Sequence, residues 1–120
     1  MSTTLYQRLG GAEGIAKLVD DAMAAHLTNP VVKTRFENIK DFDHAKKMAR
    51  QFFSAGSGGP ETYTGKDMPT AHKGMNISEQ EYLAVTDDIV GALEKNQLGE
   101  DTKKDVIAIL YSLKDAIIRV

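Results

Sequence analysis

The chain contains no cysteine. That excludes disulfides, thiolate metal ligands, a Cys nucleophile and the thioether attachment of a c-type haem. No segment approaches the ~20 consecutive apolar residues of a membrane span. The opening residues, MSTTLYQRLGG, lack the apolar run of a signal peptide, so a cytoplasmic protein that does not engage membranes is expected. Nor is there an excess of positive charge. The formal net charge is -2 and no stretch is uniformly basic, so a nucleic-acid partner has no electrostatic support. Several motifs are missing as well. Neither Gly10-Gly11 nor Gly58-Gly59 continues into a phosphate loop. There is no G-x-S-x-G nucleophile elbow, no H-E-x-x-H, no strand-like alternation and no internal repeat. Asp20-Asp21 and Asp87-Asp88 are adjacent pairs whose members leave a helix in different directions. No catalytic residues are assigned.

What is present is enough for one domain, spanning 1–120. The 120 residues have a mass of 13.1 kDa, with 42% hydrophobic and 27% charged residues. A chain of this size buries roughly 65% of its unfolded surface, which supports a single core. The apolar spacing is helical throughout. Ile15, Leu18, Val19 and Ala22 follow the first glycine pair, and Asn29-Pro30 breaks that helix. Asn29 suits a cap and Pro30 a first helical position, predicting a short helix with Val31, Val32 and Phe36. From Asp43 to Phe53, Ala45, Met48, Ala49, Phe52 and Phe53 form one face, with Lys46, Lys47 and Arg50 opposite. The two alanines leave that face recessed. Ser78 to Glu81 reads as a capping box. The helix it opens presents Tyr82, Val85, Ile89 and Leu93. The last helix is predicted to start at Asp101 or Thr102 and to bury Val106, Leu110, Leu113 and Ile117, with Ile107 and Ile109 beside them. The result is an all-α fold of about five helices. Glu61 to Met75 lacks any clean period, as expected of a functional loop or a segment that orders around something.

The histidines are His26, His44 and His72. A metal site built from protein ligands alone needs three or four donors at compatible spacing, and these three have none. A porphyrin supplies four nitrogens, so haem needs only one axial donor and a flat apolar slot. His72 is the best candidate for that donor. It lies in the aperiodic segment, flanked by Met68, Ala71, Met75 and Ile77. On pattern alone two readings stand: a solvated loop histidine, or an iron ligand. The Ala/Phe face has two readings also, ordinary helix packing or the wall of a flat ligand site. Lys46, Lys47, Lys66, Lys73 and Arg50 are solvated by default, and one or two of them would suit haem propionates.

Leu5 to Gly11 (L-Y-Q-R-L-G-G), Gly58-Gly59, Tyr63-Thr64-Gly65 and Met68-x-x-Ala71-His72 resemble group I truncated haemoglobins over nearly the whole chain. The resemblance implies a truncated globin-like two-over-two helical sandwich. It implies non-covalent haem b (iron protoporphyrin IX), a proximal bond from His72, and a distal side built from the helices the family letters B and E. Phe36 matches the haem-packing Phe. Phe52 and Phe53 fall on the distal helix, and Tyr63, Met68, Met75 and Ile77 fall near the haem edge. The family's distal Tyr is Met23 here. With one extra residue placed near Asp41 to Asp43, its two distal Gln positions are Ala45 and Ala49.

The implied function is binding of O2, CO or NO, for oxygen transport or NO-related chemistry, with an unusually apolar distal pocket. NO dioxygenase-type activity would need a reductase partner. A peroxidase-like activity would need a distal acid–base residue, and the resemblance supplies none. The sixth position of the iron is expected to be open or to take water, with Met23, Met48, His44 and Lys47 as the endogenous candidates. The chain is expected to be a monomer or weak dimer. The competing reading is a haem-free helical protein-interaction module that docks a partner helix on the Ala/Phe face.

Overall fold

The computed structural model describes residues 4–120. It contains seven helices: α1 (Leu5–Arg8), α2 (Gly11–Thr28), α3 (Lys33–Glu37), α4 (Phe42–Gly56), α5 (Met68–His72), α6 (Glu79–Lys95) and α7 (Glu100–Ile117). Among the described residues there is no strand, only one isolated parallel bridge between Ile77 and Ile118.

Local chemistry sets these boundaries. Thr4 with Gln7 and Ser78 with Glu81 form capping boxes at the starts of α1 and α6. Asp41 caps α4 and Asp67 caps α5 through side-chain acceptance from His44 N and Thr70 N. Gly10 holds φ 97°, a left-handed conformation that lets α1 turn directly into α2. Gly59 is needed for a different reason. A Cβ there would lie 2.4 Å from the Tyr6 ring and 2.5 Å from Ser54 Oγ, so only a bare backbone fits.

The molecule is a two-over-two sandwich in which α2 packs on both α4 and α6, and α6 packs on α7. Ile15, Leu18, Val19 and Ala22 from α2 meet Ile89, Ala92 and Leu93 from α6 and Val106 and Leu110 from α7 in one buried cluster. Burial of this order, at ~25 cal/mol per Å² of apolar surface, is the main term opposing chain entropy.

Four sequence expectations need correction. Asn29 closes α2, and its side chain and carbonyl organise a turn: Oδ1 accepts from Val31 N, and O accepts from Val32 N and Lys33 N. The short helix therefore begins at Lys33, after Val31 and Val32. The segment expected to be irregular contains α5. With only five residues and one proline, α5 is too short to show a period. The last helix opens at Glu100, with Gly99 as its cap. Ile107 faces solvent, because the apolar stripe of α7 is narrower than its composition suggested.

Candidate functional site

A cavity of about 450 Å³ opens between the two layers, within the usual range for small-molecule and cofactor sites. All the site residues expected from the sequence line it. They are Met23 from α2; Phe36 from α3; Ala45, Met48, Ala49, Phe52 and Phe53 from α4; Tyr63 from the following loop; Met68 and His72 from α5; and Met75 and Ile77 beyond it. The recessed Ala face of α4 is thus one wall. His44 and Lys47 are exposed and do not contribute to the lining. Lys46 is paired with Asp20 at 3.2 Å.

His72 ends α5. Its Nδ1 lies 2.8 Å from the Met68 carbonyl oxygen. A carbonyl only accepts, so Nδ1 carries the hydrogen and the Nε2 lone pair is left free. That is the tautomer a metal-ligating imidazole needs, with its ring orientation fixed by the second nitrogen. The residues after His72 are tied down too: Gly74 N donates to Val120 O at 3.3 Å, and Arg119 N donates to Ile77 O at 3.0 Å. Elsewhere on the wall, Tyr63 donates its hydroxyl to Lys66 O at 2.7 Å and meets Phe52 edge-on at 5.7 Å. Thr64 donates through N and Oγ1 to Gln51 Oε1, at 3.0 and 2.8 Å, which fastens this loop to α4. The site's walls come mainly from α2 to α7 and the two segments that flank α5, and each of those segments is tied by hydrogen bonds to another part of the fold. The fit to a haem is chemical: a wall of alanines, methionines and phenylalanines carries an imidazole, His72, whose Nδ1 is engaged by the Met68 carbonyl and whose Nε2 is left as a donor to iron. Haem is the group these residues suit.

Four further polar residues line the wall that the sequence did not assign to the site: His26, Arg35, Glu81 and Tyr82. Arg35 and Glu81 form a two-pronged ion pair, with Nη2 to Oε1 at 3.1 Å and Nε also donating to Oε2. The guanidinium holds the Glu81 carboxyl down to about 2, helped by donation from Ser78. Tyr82 donates to Leu110 O at 2.6 Å, and burial raises its hydroxyl pKa. His26 is 4% exposed. Its ring stacks on Phe36 with centroids 4.4 Å apart, and its Nδ1 lies 2.7 Å from Asp88 Oδ2. Asn29 Nδ2 donates to the same carboxylate at 3.2 Å. Burial lowers the His26 pKa by more than the carboxylate raises it. The readable signal was a histidine one turn after Met23, on the buried stripe Ile15, Val19, Ala22. Its partner could not be read, because it lies 62 positions away.

The family described as bacterial-like globin matches residues 4–119. A group 1 truncated haemoglobin of Tetrahymena pyriformis is 31% identical over 115 residues, covering 87% of this chain and 94% of the relative. Another, from Synechocystis, is 30% identical over 113 residues and covers 89% of each. Among solved structures, the ferric truncated haemoglobin of T. pyriformis superposes with a TM-score of 0.93 at 26% identity, covering 98% of this chain and all of that one. A 2/2 haemoglobin of Synechococcus, solved with covalently attached haem, superposes at 0.85 with 23% identity, covering 93% of this chain and 94% of that one.

Proposed function

Because the chain belongs to the bacterial-like globin family, alongside the group 1 truncated haemoglobins, we propose that it holds haem b through His72 Nε2 and binds O2, CO or NO in an apolar distal pocket. Haem, when bound, supplies an iron centre that takes up a diatomic gas. The remaining chemistry belongs to the chain's own residues. His72, oriented by the Met68 carbonyl, provides the single protein bond. Phe36, Phe52 and Phe53 flank a flat apolar group and exclude water. Met23, Ala45 and Ala49 occupy the positions facing the gas and offer no hydrogen-bond donor. We read the sixth position as open or water-bound. Met23 and Met48 reach the cavity wall and His44 and Lys47 do not, which ranks the methionines first among endogenous ligands. We further read the chain as one globin domain over 1–120, cytoplasmic, a monomer or weak dimer, and served by a reductase where NO chemistry is concerned.

The observation that carries this reading is His72 on the wall of a largely apolar cavity, its Nδ1 held by the Met68 carbonyl so that Nε2 is left as a donor. The experiment is an absorption spectrum of purified protein supplied with haem. A Soret band is expected. His72→Ala weakens it, and added imidazole restores it. A colourless polypeptide would remove the proposal. Lacking cysteine, the chain is expected to release its haem to acidified organic solvent; haem retained on the polypeptide would show a covalent link through another side chain.

A further inference from the structure

The cavity wall carries two histidines, and the proposed function uses only His72. Its surroundings define one nonetheless. Asp88 presents a carboxylate, which only accepts, so His26 Nδ1 is the donor in the 2.7 Å contact. In the neutral ring the other nitrogen, Nε2, then holds a lone pair. No residue among those described bonds to it. Nor is it sealed in: Ser54 Oγ is the fully buried side-chain polar atom without a partner among the described residues. His26 is 4% exposed and lines the cavity, and we take the cavity as the space its unsealed Nε2 meets. Asp88 is itself anchored by Asn29 and stands ready to stabilise an imidazolium. Burial keeps the ring neutral near neutral pH. The other ionisable groups on the wall are engaged elsewhere: Arg35 of α3 with Glu81 of α6, Tyr82 of α6 with Leu110 O, Tyr63 with Lys66 O, and His72 of α5 with Met68 O.

We infer that the His26–Asp88 pair is a proton acceptor for small weak acids, H–L, that enter the cavity and bind there as their anions; hydrogen cyanide, hydrogen sulfide and hydrogen peroxide are of this class. The inference rests on the haem reading above. In the step, the H–L bond breaks heterolytically. The proton goes to His26 Nε2, the electron pair stays on L, and the new imidazolium pairs with Asp88. No oxidant or reductant is consumed. A general base in this position is worth about tenfold or more in rate. CO carries no proton and gains nothing from it.

The test uses the haem-loaded protein and two probes. Hydrogen cyanide is mixed with the ferric form at a pH where it is undissociated, and CO is mixed with the ferrous form. His26→Leu is expected to slow cyanide association about tenfold or more, while CO association stays within about threefold. The wild-type cyanide rate should fall as pH drops through the His26 titration, and the variant should lack that limb. Equal changes toward both probes, or none toward cyanide, would overturn the inference and leave the haem reading standing. A chain that takes up no haem would overturn both. If His26→Leu does not fold, Asp88→Asn carries the test with the imidazole retained: a cyanide-selective slowing supports the pair, and an unchanged cyanide rate overturns it.

Discussion

On the proposed haem reading, Met23, Ala45 and Ala49 would set the ligand preference through what they cannot do. Polarised O2 carries partial negative charge and is held by donors, and these three side chains have none. His26 does not fill the gap, since its Nδ1 proton belongs to Asp88 and its Nε2 accepts. A lost hydrogen bond of this kind is worth about 1–3 kcal/mol, or about tenfold to hundredfold in an off-rate. The wild type is therefore expected to release O2 quickly. Met23→Tyr should slow O2 dissociation by about tenfold or more in stopped-flow mixing and change CO dissociation far less. A wild-type off-rate already slow, and unmoved by the tyrosine, would contradict the apolar reading of the wall. At this scale the sequence was informative wherever a residue's role depends on its own side chain. His72 stood out by type and flanking residues as a candidate axial donor beside a solvated-loop reading, and only the resemblance to truncated haemoglobins favoured the first; the alanines stood out by the recess they leave in a periodic face. It was silent wherever the role depends on a distant partner. His26 means little without Asp88, and Arg35 little without Glu81, and such pairs are made only by the fold.

Among the helices, legibility followed length and capping. α2, α4, α6 and α7 each repeat an apolar stripe over several turns, and the Ser78 capping box marks the start of α6 to the residue. α5 has too few residues for a period, and its start depends on an Asp67 cap that reads equally well as a loop acid. The breadth of a buried stripe was less legible than its existence, as the exposure of Ile107 shows. The glycines separate local from tertiary demands in the same way. Gly14 sits in the first turn of α2, where a Cβ would lie 2.0 Å from the Leu9 carbonyl oxygen, a contact with backbone that no side-chain movement relieves. Gly91 sits within α6 with nothing within 4 Å of its would-be Cβ. Gly91→Ala is expected to stabilise the protein by about 0.5–1 kcal/mol through helix propensity and reduced unfolded-state entropy. Gly14→Ala should cost about 2 kcal/mol or more, because the α1–α2 junction must shift. Urea unfolding followed by circular dichroism checks both signs, and a destabilising Gly91→Ala would show that α6 is packed more tightly there than its open face indicates.

For the whole molecule, three polar anchors bind the layers together, and all respond to acid. Glu81 joins α6 to α3 through Arg35, with its carboxyl held down to about 2. Asp21 joins α2 to the end of α6 by accepting from Asn96, the main reason its pKa is lowered, with Lys17 and Lys95 nearby. His26 joins α2 to α6 through Asp88, with a pKa lowered chiefly by burial. A carboxylate depressed in the folded state adds stability above its unfolded pKa, and that stability is lost as pH falls toward the folded value. A histidine depressed in the folded state behaves with the same sign: its contribution is complete above an unfolded pKa of about 6.5 and declines as pH drops below that, because the unfolded chain takes up the proton first. Acid should therefore loosen the sandwich in two stages, one below about pH 6.5 from His26 and one below about pH 4.5 from the carboxylates. Urea midpoints of the haem-loaded protein across this range test the order. His26→Leu should remove the upper stage while keeping the lower one, so that the stability difference between variant and wild type is constant above about pH 7 and changes as pH falls below about 6.5. An upper stage that persists in His26→Leu would assign it to another group.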